Sequence, residues 1–237
     1  MRLRLSLFLF VALLFNMQPT AAEPSEGVVD RVYHPYILPF ERELEWRFMS
    51  RQNEEGNELL QRLAFGHALS ETVIAKFYAV GSRDEQHDDF GLEGYEFELR
   101  WMMTEQGKYW ADFGTLLEVE KYHNEKRWEV TTGLVMEKEI GQTSLTVNTL
   151  LVYEWGDVPD QELKTQLRVK YRYRWMPLLQ PAVELYTGDD FVGIGPAFMG
   201  IKRFDSRRQL KWELGFIAAI DSVSKDHSLR FSLEYEF

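Results

Sequence analysis

Between residues 163 and 175 the chain alternates without a break: Leu163, Thr165, Leu167, Val169, Tyr171, Tyr173 and Trp175 against Lys164, Gln166, Arg168, Lys170, Arg172 and Arg174. A period of two is what a β-strand imposes, because successive side chains point to opposite faces. One face of this segment is apolar and the other cationic. Similar alternation recurs near 40–48, 62–69, 72–80, 93–103, 109–119, 127–137, 144–155, 162–175, 179–187, 192–203, 208–219 and 226–237, so the sequence predicts twelve strands. Most reach the roughly 9 to 11 residues that a tilted strand needs to cross a bilayer, and an even count returns both chain ends to one side.

Alternation alone does not say whether the apolar face looks into a core or out at lipid, since soluble barrels and sandwiches share the period. Three features favour lipid. In the last strand Leu229, Phe231, Leu233, Tyr235 and Phe237 share one face and the chain stops on an aromatic residue, similar to the terminal signature that outer-membrane assembly machinery reads. Trp128, Trp155 and Trp175, with Trp101 and Tyr109, sit at strand ends, as girdles at two water interfaces require. The opposite face carries Glu41, Glu43, Glu45, Arg47, Glu96, Glu98, Arg100, Glu129, Glu137, Lys211, Glu213, Arg230, Glu234 and Glu236. The expected fold is an all-β antiparallel transmembrane barrel of about twelve strands spanning residues 40–237. The main alternative is a soluble periplasmic β protein.

Residues 1–22 read as a cleaved secretory signal, with Arg2 and Arg4 before an apolar run from Leu5 to Phe15 and the small-residue ending Thr20, Ala21, Ala22. That run is far shorter than the roughly 20 residues of a spanning helix. Losing the two arginines takes the formal charge from −11 to −13, which disfavours nucleic acid as a partner. Residues 23–39, with Pro24, Pro35 and Pro39 and no clear period, are expected to form a periplasmic lead-in that is extended or partly ordered. With no cysteine in the chain, disulfides, thiolate metal sites and cysteine nucleophiles are excluded.

If the first strand rises from the periplasm, short periplasmic turns fall near Ser70–Glu71, 104–108, 138–143, Met176–Leu178 and 204–207. Outer loops fall near 49–61, 81–92, 120–126, 156–161, 188–191 and 220–225, the first two being the sizeable ones. Residues 83–89 (Arg83, Asp84, Glu85, Gln86, His87, Asp88, Asp89) offer oxygen and imidazole groups to a cation, but without a spaced ligand motif a solvated acidic loop is the simpler reading. His34, His67, His87, His123 and His227 show no metal spacing, so no metal or cofactor is expected.

Gly193, Gly195 and Gly200 do not match the dinucleotide fingerprint and read as strand glycines, with Pro196 marking a break in the ladder. His67 shares the face of Phe65 and Leu69, but no serine stands beside it, so no catalytic residue is assigned and a lipid-modifying enzyme is the remote reading. The inward face carries more weight. Lys164, Arg168, Lys170, Arg172 and Arg174 form a basic stripe, while Glu41, Glu43, Glu45, Glu96, Glu98, Glu129 and Glu234 make other strands acidic. Two readings stand equally: a water-filled pore crossed by a transverse field, or a lumen filled by salt bridges.

The stretches YEFELRW from Tyr95, VYEWGD from Val152, VGIGPAFMG from Val192 and the final LEYEF resemble a functionally uncharacterised group of proteobacterial outer-membrane barrels, itself similar to transporter-like and phenol-degradation-associated barrels. The resemblance implies architecture and an outer-membrane location, and it carries over no functional residue. The expected role is a narrow porin-like channel for small hydrophilic or charged solutes, in contact with outer-membrane lipids and lipopolysaccharide. The rival is a non-conducting structural or surface-binding barrel whose acidic loops bind ions or cation-bridged lipopolysaccharide.

Overall fold

The computed structural model describes residues 28–53, 56–83, 90–123, 125–157, 161–188, 191–205, 208–220 and 227–237. Twelve strands follow one another: β1 (Arg42–Asn53), β2 (Gly56–Ala68), β3 (Val73–Arg83), β4 (Gly91–Met102), β5 (Asp112–Tyr122), β6 (Trp128–Ile140), β7 (Thr143–Trp155), β8 (Gln161–Tyr173), β9 (Gln180–Thr187), β10 (Val192–Arg203), β11 (Gln209–Ala219) and β12 (His227–Glu236). Each pairs antiparallel with its sequence neighbours, and β12 closes on β1, so the sheet is a barrel with no free edge. Closure removes the unpaired strand edge that lipid could not solvate.

The two faces of the wall are inverted relative to a soluble protein. Glu43, Lys76, Glu98, Glu137, Lys170 and Glu184 point inward and are at most 1% exposed, while outward-facing Leu63, Phe77 and Leu134 are 60%, 55% and 59% exposed. Water would penalise that exterior and lipid tails do not, so the soluble alternative fails on the surface it would have to expose. Aromatic side chains mark both borders of the band: Trp128 stacks on Trp155 at one rim, and Tyr235 on Phe237 at the other.

The wall carries two local irregularities. The ladder between β10 and β11 is interrupted at Gly195 and Pro196, although Ile194 and Ala197 are paired on either side. A Cβ at Gly195 would collide with the Phe216 carbonyl, so the close approach of β11 requires glycine there. The other difference lies at the β1–β2 hairpin. Residues 49–61, expected as a sizeable loop, are strand through Asn53 and again from Gly56, paired to the tip. Ser50, Gln52, Asn57 and Gln61 are polar on the outward face, because this hairpin stands above the apolar band and shows no period-two contrast.

The lead-in also differs from its expectation. Residues 28–37 do not hang below the barrel; they run inside it, and Leu38 and Pro39 are exposed at the exit. Val28, Val29 and Val32 pack with Met49, Tyr186, Phe191 and Ile217 near the rim that carries the β1–β2 hairpin. Tyr33 packs with Leu116, Val135 and Leu150 at mid-height, and Ile37 with Ala68 and Ile74 near the rim where β1 begins and β12 ends. The segment leaves the lumen through a reverse turn in which the Glu41 amide donates to the Leu38 carbonyl at 3.2 Å. Pro39 presets the turn, and Phe40 takes the left-handed slot that glycine usually fills, at φ 63°. The leader 1–22 and the acidic run 84–89 lie outside the described residues.

Candidate functional site

A buried charge needs a partner, and the interior of this barrel is organised around that requirement. The basic stripe of β8 finds its anions on its own strand and on β6, β7, β9 and β11. Lys164 Nζ is 3.0 Å from Glu154 and 3.0 Å from Glu162. Lys170 lies 3.2 Å from Glu184 and 3.1 Å from Glu213, and Arg230 grips the same two carboxylates. Arg172 reaches Glu137 at 3.0 Å. Arg174 is not a lumen residue: it lies past the end of β8 at the rim, a third exposed, paired with Glu139 at 2.7 Å and donating to the Gly141 carbonyl of the turn, because the strand ends at Tyr173.

The acidic residues are inward as well. Glu43 and Glu45 on β1 stand directly opposite Glu236 and Glu234 on β12. Like charges in that register repel, and Lys76, Lys211 and Arg31 sit among them. Lys76 is 2.8 Å from Glu45, Lys211 is 2.9 Å from Glu234, and Arg31 spans Glu45 at 2.8 Å and Glu234 at 2.9 Å. Glu98 is held by Arg100 at 2.8 Å and by the Tyr78 hydroxyl at 2.9 Å. Glu41 sits in the exit turn, where one carboxylate oxygen accepts the Leu38 amide. Glu96 and Glu129 face a cavity described below. Leu229, Phe231, Leu233, Tyr235 and Phe237 turn outward along β12, opposite in parity to Arg230, Glu234 and Glu236. His67 also faces outward, across the ladder from Arg42.

The partner that sequence reasoning missed is the segment inside. Asp30 is shared by Arg62 at 3.2 Å, Arg47 at 3.4 Å and Arg168 at 3.7 Å. The next residue, Arg31, has the opposite charge and serves the acidic seam. Arg168 donates to the Arg31 carbonyl at 3.0 Å, and Tyr186 donates to the Asp30 carbonyl at 3.0 Å. The Asn148 amide takes both backbone groups of Tyr33, and the Tyr33 hydroxyl donates to Glu118. His34 Nδ1 is 2.5 Å from Glu137, and Tyr36 donates to Asp112 at 2.9 Å. A Cβ at Gly114 would press on Pro35, so glycine there gives the segment its room.

Among the described residues two larger charged cavities result, with no lining residue in common, and a smaller one of about 20 Å³ at Asp30, Arg31, Arg47 and Arg62 lies between them. The one toward the hairpin rim is about 110 Å³ and is lined by Asp30 with Glu58, Glu93, Glu96, Glu118, Glu120, Glu129 and Glu154 against Arg51, Arg62 and Arg168. The one toward the terminal rim is about 170 Å³, with Arg31, Arg100, Arg172, Lys211 and His34 against Glu41, Glu213 and Glu234. Carboxylates outnumber guanidinium groups in the lining of the first cavity, and Lys170 and Arg172 of the β8 stripe meet glutamates nearer the other rim. Between the cavities lie the ion pairs of Asp30 and Arg31.

No protein-family model and no curated sequence matches the chain. Among solved structures, an outer membrane channel from Pseudomonas putida F1 superposes with a TM-score of 0.61 at 12% identity, covering 91% of this chain and 100% of that one. KdgM porin gives 0.53 at 12% identity, covering 82% of this chain and 99% of its own. The same porin in complex with disordered oligogalacturonate gives 0.55 at 11% identity with the same coverage. At such identities the likeness concerns architecture, and the chain shares the closed-barrel fold of these outer-membrane channels.

Proposed function

We propose that the chain is a narrow outer-membrane channel for small charged solutes, closed in the state described here by residues 28–39. The observation that carries this reading is the pair of charged cavities on either side of a segment that belongs to no strand and is held by side chains. A purely structural barrel needs no second chamber and no removable wall. With the start of β1 and the end of β12 on the periplasmic rim, the acidic cavity faces the cell exterior and the mixed one the periplasm. We assign residues 1–22 to export, the β12 face to assembly, and the outer surface to lipid and lipopolysaccharide. We propose no catalytic role, and the phenol-degradation-associated resemblance adds no residue to this reading.

Planar-bilayer recordings of the mature chain, beside a variant lacking residues 28–36, test the proposal. The intact chain is expected to pass small, intermittent currents and the deletion to pass larger, steady ones. Silence in both, with the barrel folded by heat-modifiable migration, would overturn it. That outcome would favour the second reading, a non-conducting barrel, for which the dense ion pairing around Glu184, Glu213, Lys170 and Arg230 is the supporting observation.

A further inference from the structure

The first outward-facing side chain of β1 is a cation with no anion beside it. Arg42 is exposed and makes no ion pair and no side-chain hydrogen bond among the described residues. It shares the outward parity of Leu44 and Trp46, whereas Glu43 and Glu45 point into the lumen. Flanking it on the wall are His67 of β2, opposite in register, and Phe237, whose amide donates to the Arg42 carbonyl at 2.8 Å. His67 also has no hydrogen-bond partner among the described residues. Two polar side chains without partners therefore sit side by side at the border of the lipid-facing band.

Exposed apolar side chains surround them. In the turn by which the segment leaves the lumen, Phe40 is 85% exposed and Leu38 50%, and Phe237 stacks on Tyr235 next to them. Phe40 holds φ 63°, a conformation that a bulky residue keeps only against strain. Glycine would fill that slot without strain and would leave no ring at the surface. Leu38, Phe40, Arg42, His67 and Phe237 line one open groove of about 660 Å³ on the outside of the terminal rim. Glu41 and Glu236 reach the same groove from the lumen side, but Glu41 accepts the Leu38 amide and Glu236 is paired with Lys211. Arg42 and His67 are left to set the character of its outer part.

We propose that this groove holds one phospholipid of the periplasmic leaflet, with its phosphodiester on Arg42 and His67 and an acyl chain over Leu38, Phe40 and Phe237. The leaflet rests on the orientation proposed above, and the site itself does not depend on conduction. A guanidinium holds a phosphate group through two parallel N–H···O bonds. An arginine at the edge of the hydrocarbon band keeps its stem in the apolar layer and its charge at headgroup level, where phosphates are. The acyl chain covers rings that water would penalise. A lipid bound there also ties the exit turn, and with it the lower end of the luminal segment, to the membrane surface.

The test is native mass spectrometry of the full mature chain in detergent micelles with dioleoyl phosphatidylethanolamine added. One phospholipid is expected to stay on the folded chain. R42Q is expected to weaken retention about tenfold, as loss of a charge-assisted pair does. F40G is expected to weaken it as well, although it relieves the strained backbone. R174Q removes a cation of the same rim that is already paired with Glu139, and it is expected to retain lipid as the parent does. Heat-modifiable migration certifies folding of all three. The proposal is overturned by unchanged retention in folded R42Q or F40G, or by equal retention of dioleoylglycerol, which lacks the phosphate. Displacement of the lipid by inorganic phosphate, or a loss in R174Q as large as in R42Q, overturns it too. A chain that passes no current yet retains the lipid would fail the channel proposal and leave this one standing.

Discussion

The side chain of Asn148 on β7 holds the main chain of Tyr33 from both sides: its Oδ1 accepts the Tyr33 amide at 2.7 Å and its Nδ2 donates to the Tyr33 carbonyl at 2.9 Å. The carboxamide does for one residue what a neighbouring strand does for many, satisfying backbone groups that are buried inside the wall.

Asn148→Ala removes both bonds and leaves the Tyr33 backbone groups unsatisfied, at a cost of about 1–3 kcal/mol for each buried group. The strand ladder is untouched, so the barrel should fold while the segment loosens. Faster hydrogen exchange at the Tyr33 amide and a larger mean current are expected. Asn148→Asp keeps the acceptor and loses the donor, and should fall between the two. An Asn148→Ala protein with wild-type exchange at Tyr33 would show that the segment is held elsewhere.

Asp30 is shared by three guanidinium groups. Asp30→Asn removes one negative charge from among Arg47, Arg62 and Arg168, of which Arg47 keeps Glu45 and Arg62 keeps Glu96, so in an Asn148→Ala background the lumen should favour anions more than that parent does. The reversal potential in a KCl gradient should shift toward that of chloride. Asp30→Glu, which keeps the charge, should not shift it. Equal reversal potentials in all three proteins would mean that the ion path avoids Asp30.

Much of the wall was legible because lipid enforces a strict contrast between its faces. In β11 and β12 every outward position within the band is apolar or aromatic, and in β8 every one but Thr165, so strand number, parity and the outward face of Phe237 can be read from residue order alone. The β1–β2 hairpin was obscured above the band, where Gln52 and Asn57 meet water on both sides. Residues 28–39 have no period at all. Their order comes from partners far away in sequence, such as Tyr33 with Asn148 and Asp30 with Arg168, and nothing local marks those contacts. The groove at Arg42 was hidden for a related reason. Arg42, His67 and Phe237 lie far apart in sequence, and only the pairing of β1 with β2 and β12 brings them side by side.

Gly195 makes a sharper claim on the wall than any charged residue. Gly195→Ala sets a methyl group against the Phe216 carbonyl, a backbone atom that moves only if β11 moves. The ladder is already interrupted there, so the added strain falls on the flanking pairs at Ile194 and Ala197. Gly195→Ala should refold in detergent with reduced yield and a lower unfolding temperature, whereas Gly91→Ala, which meets open space, should behave as the parent does. Equal refolding of the two variants would show that β11 yields easily at Phe216.

Lys170, Arg230, Glu184 and Glu213 form a closed set in which each cation touches both carboxylates. Lys170 and Glu184 are fully buried, so removing one member strands a charge rather than exposing it to water. Lys170→Met is expected to cost about 3–5 kcal/mol in urea unfolding from micelles, because two carboxylates then depend on Arg230 alone. Adding Glu213→Gln to Lys170→Met restores the balance of charge and should recover a good part of that loss, so the double variant should be more stable than Lys170→Met. Additive losses would mean that the four groups act as separate pairs. That result would also remove the main support for a lumen held together by its charges, leaving the segment contacts at Asn148 and Asp30 as what keeps the barrel closed.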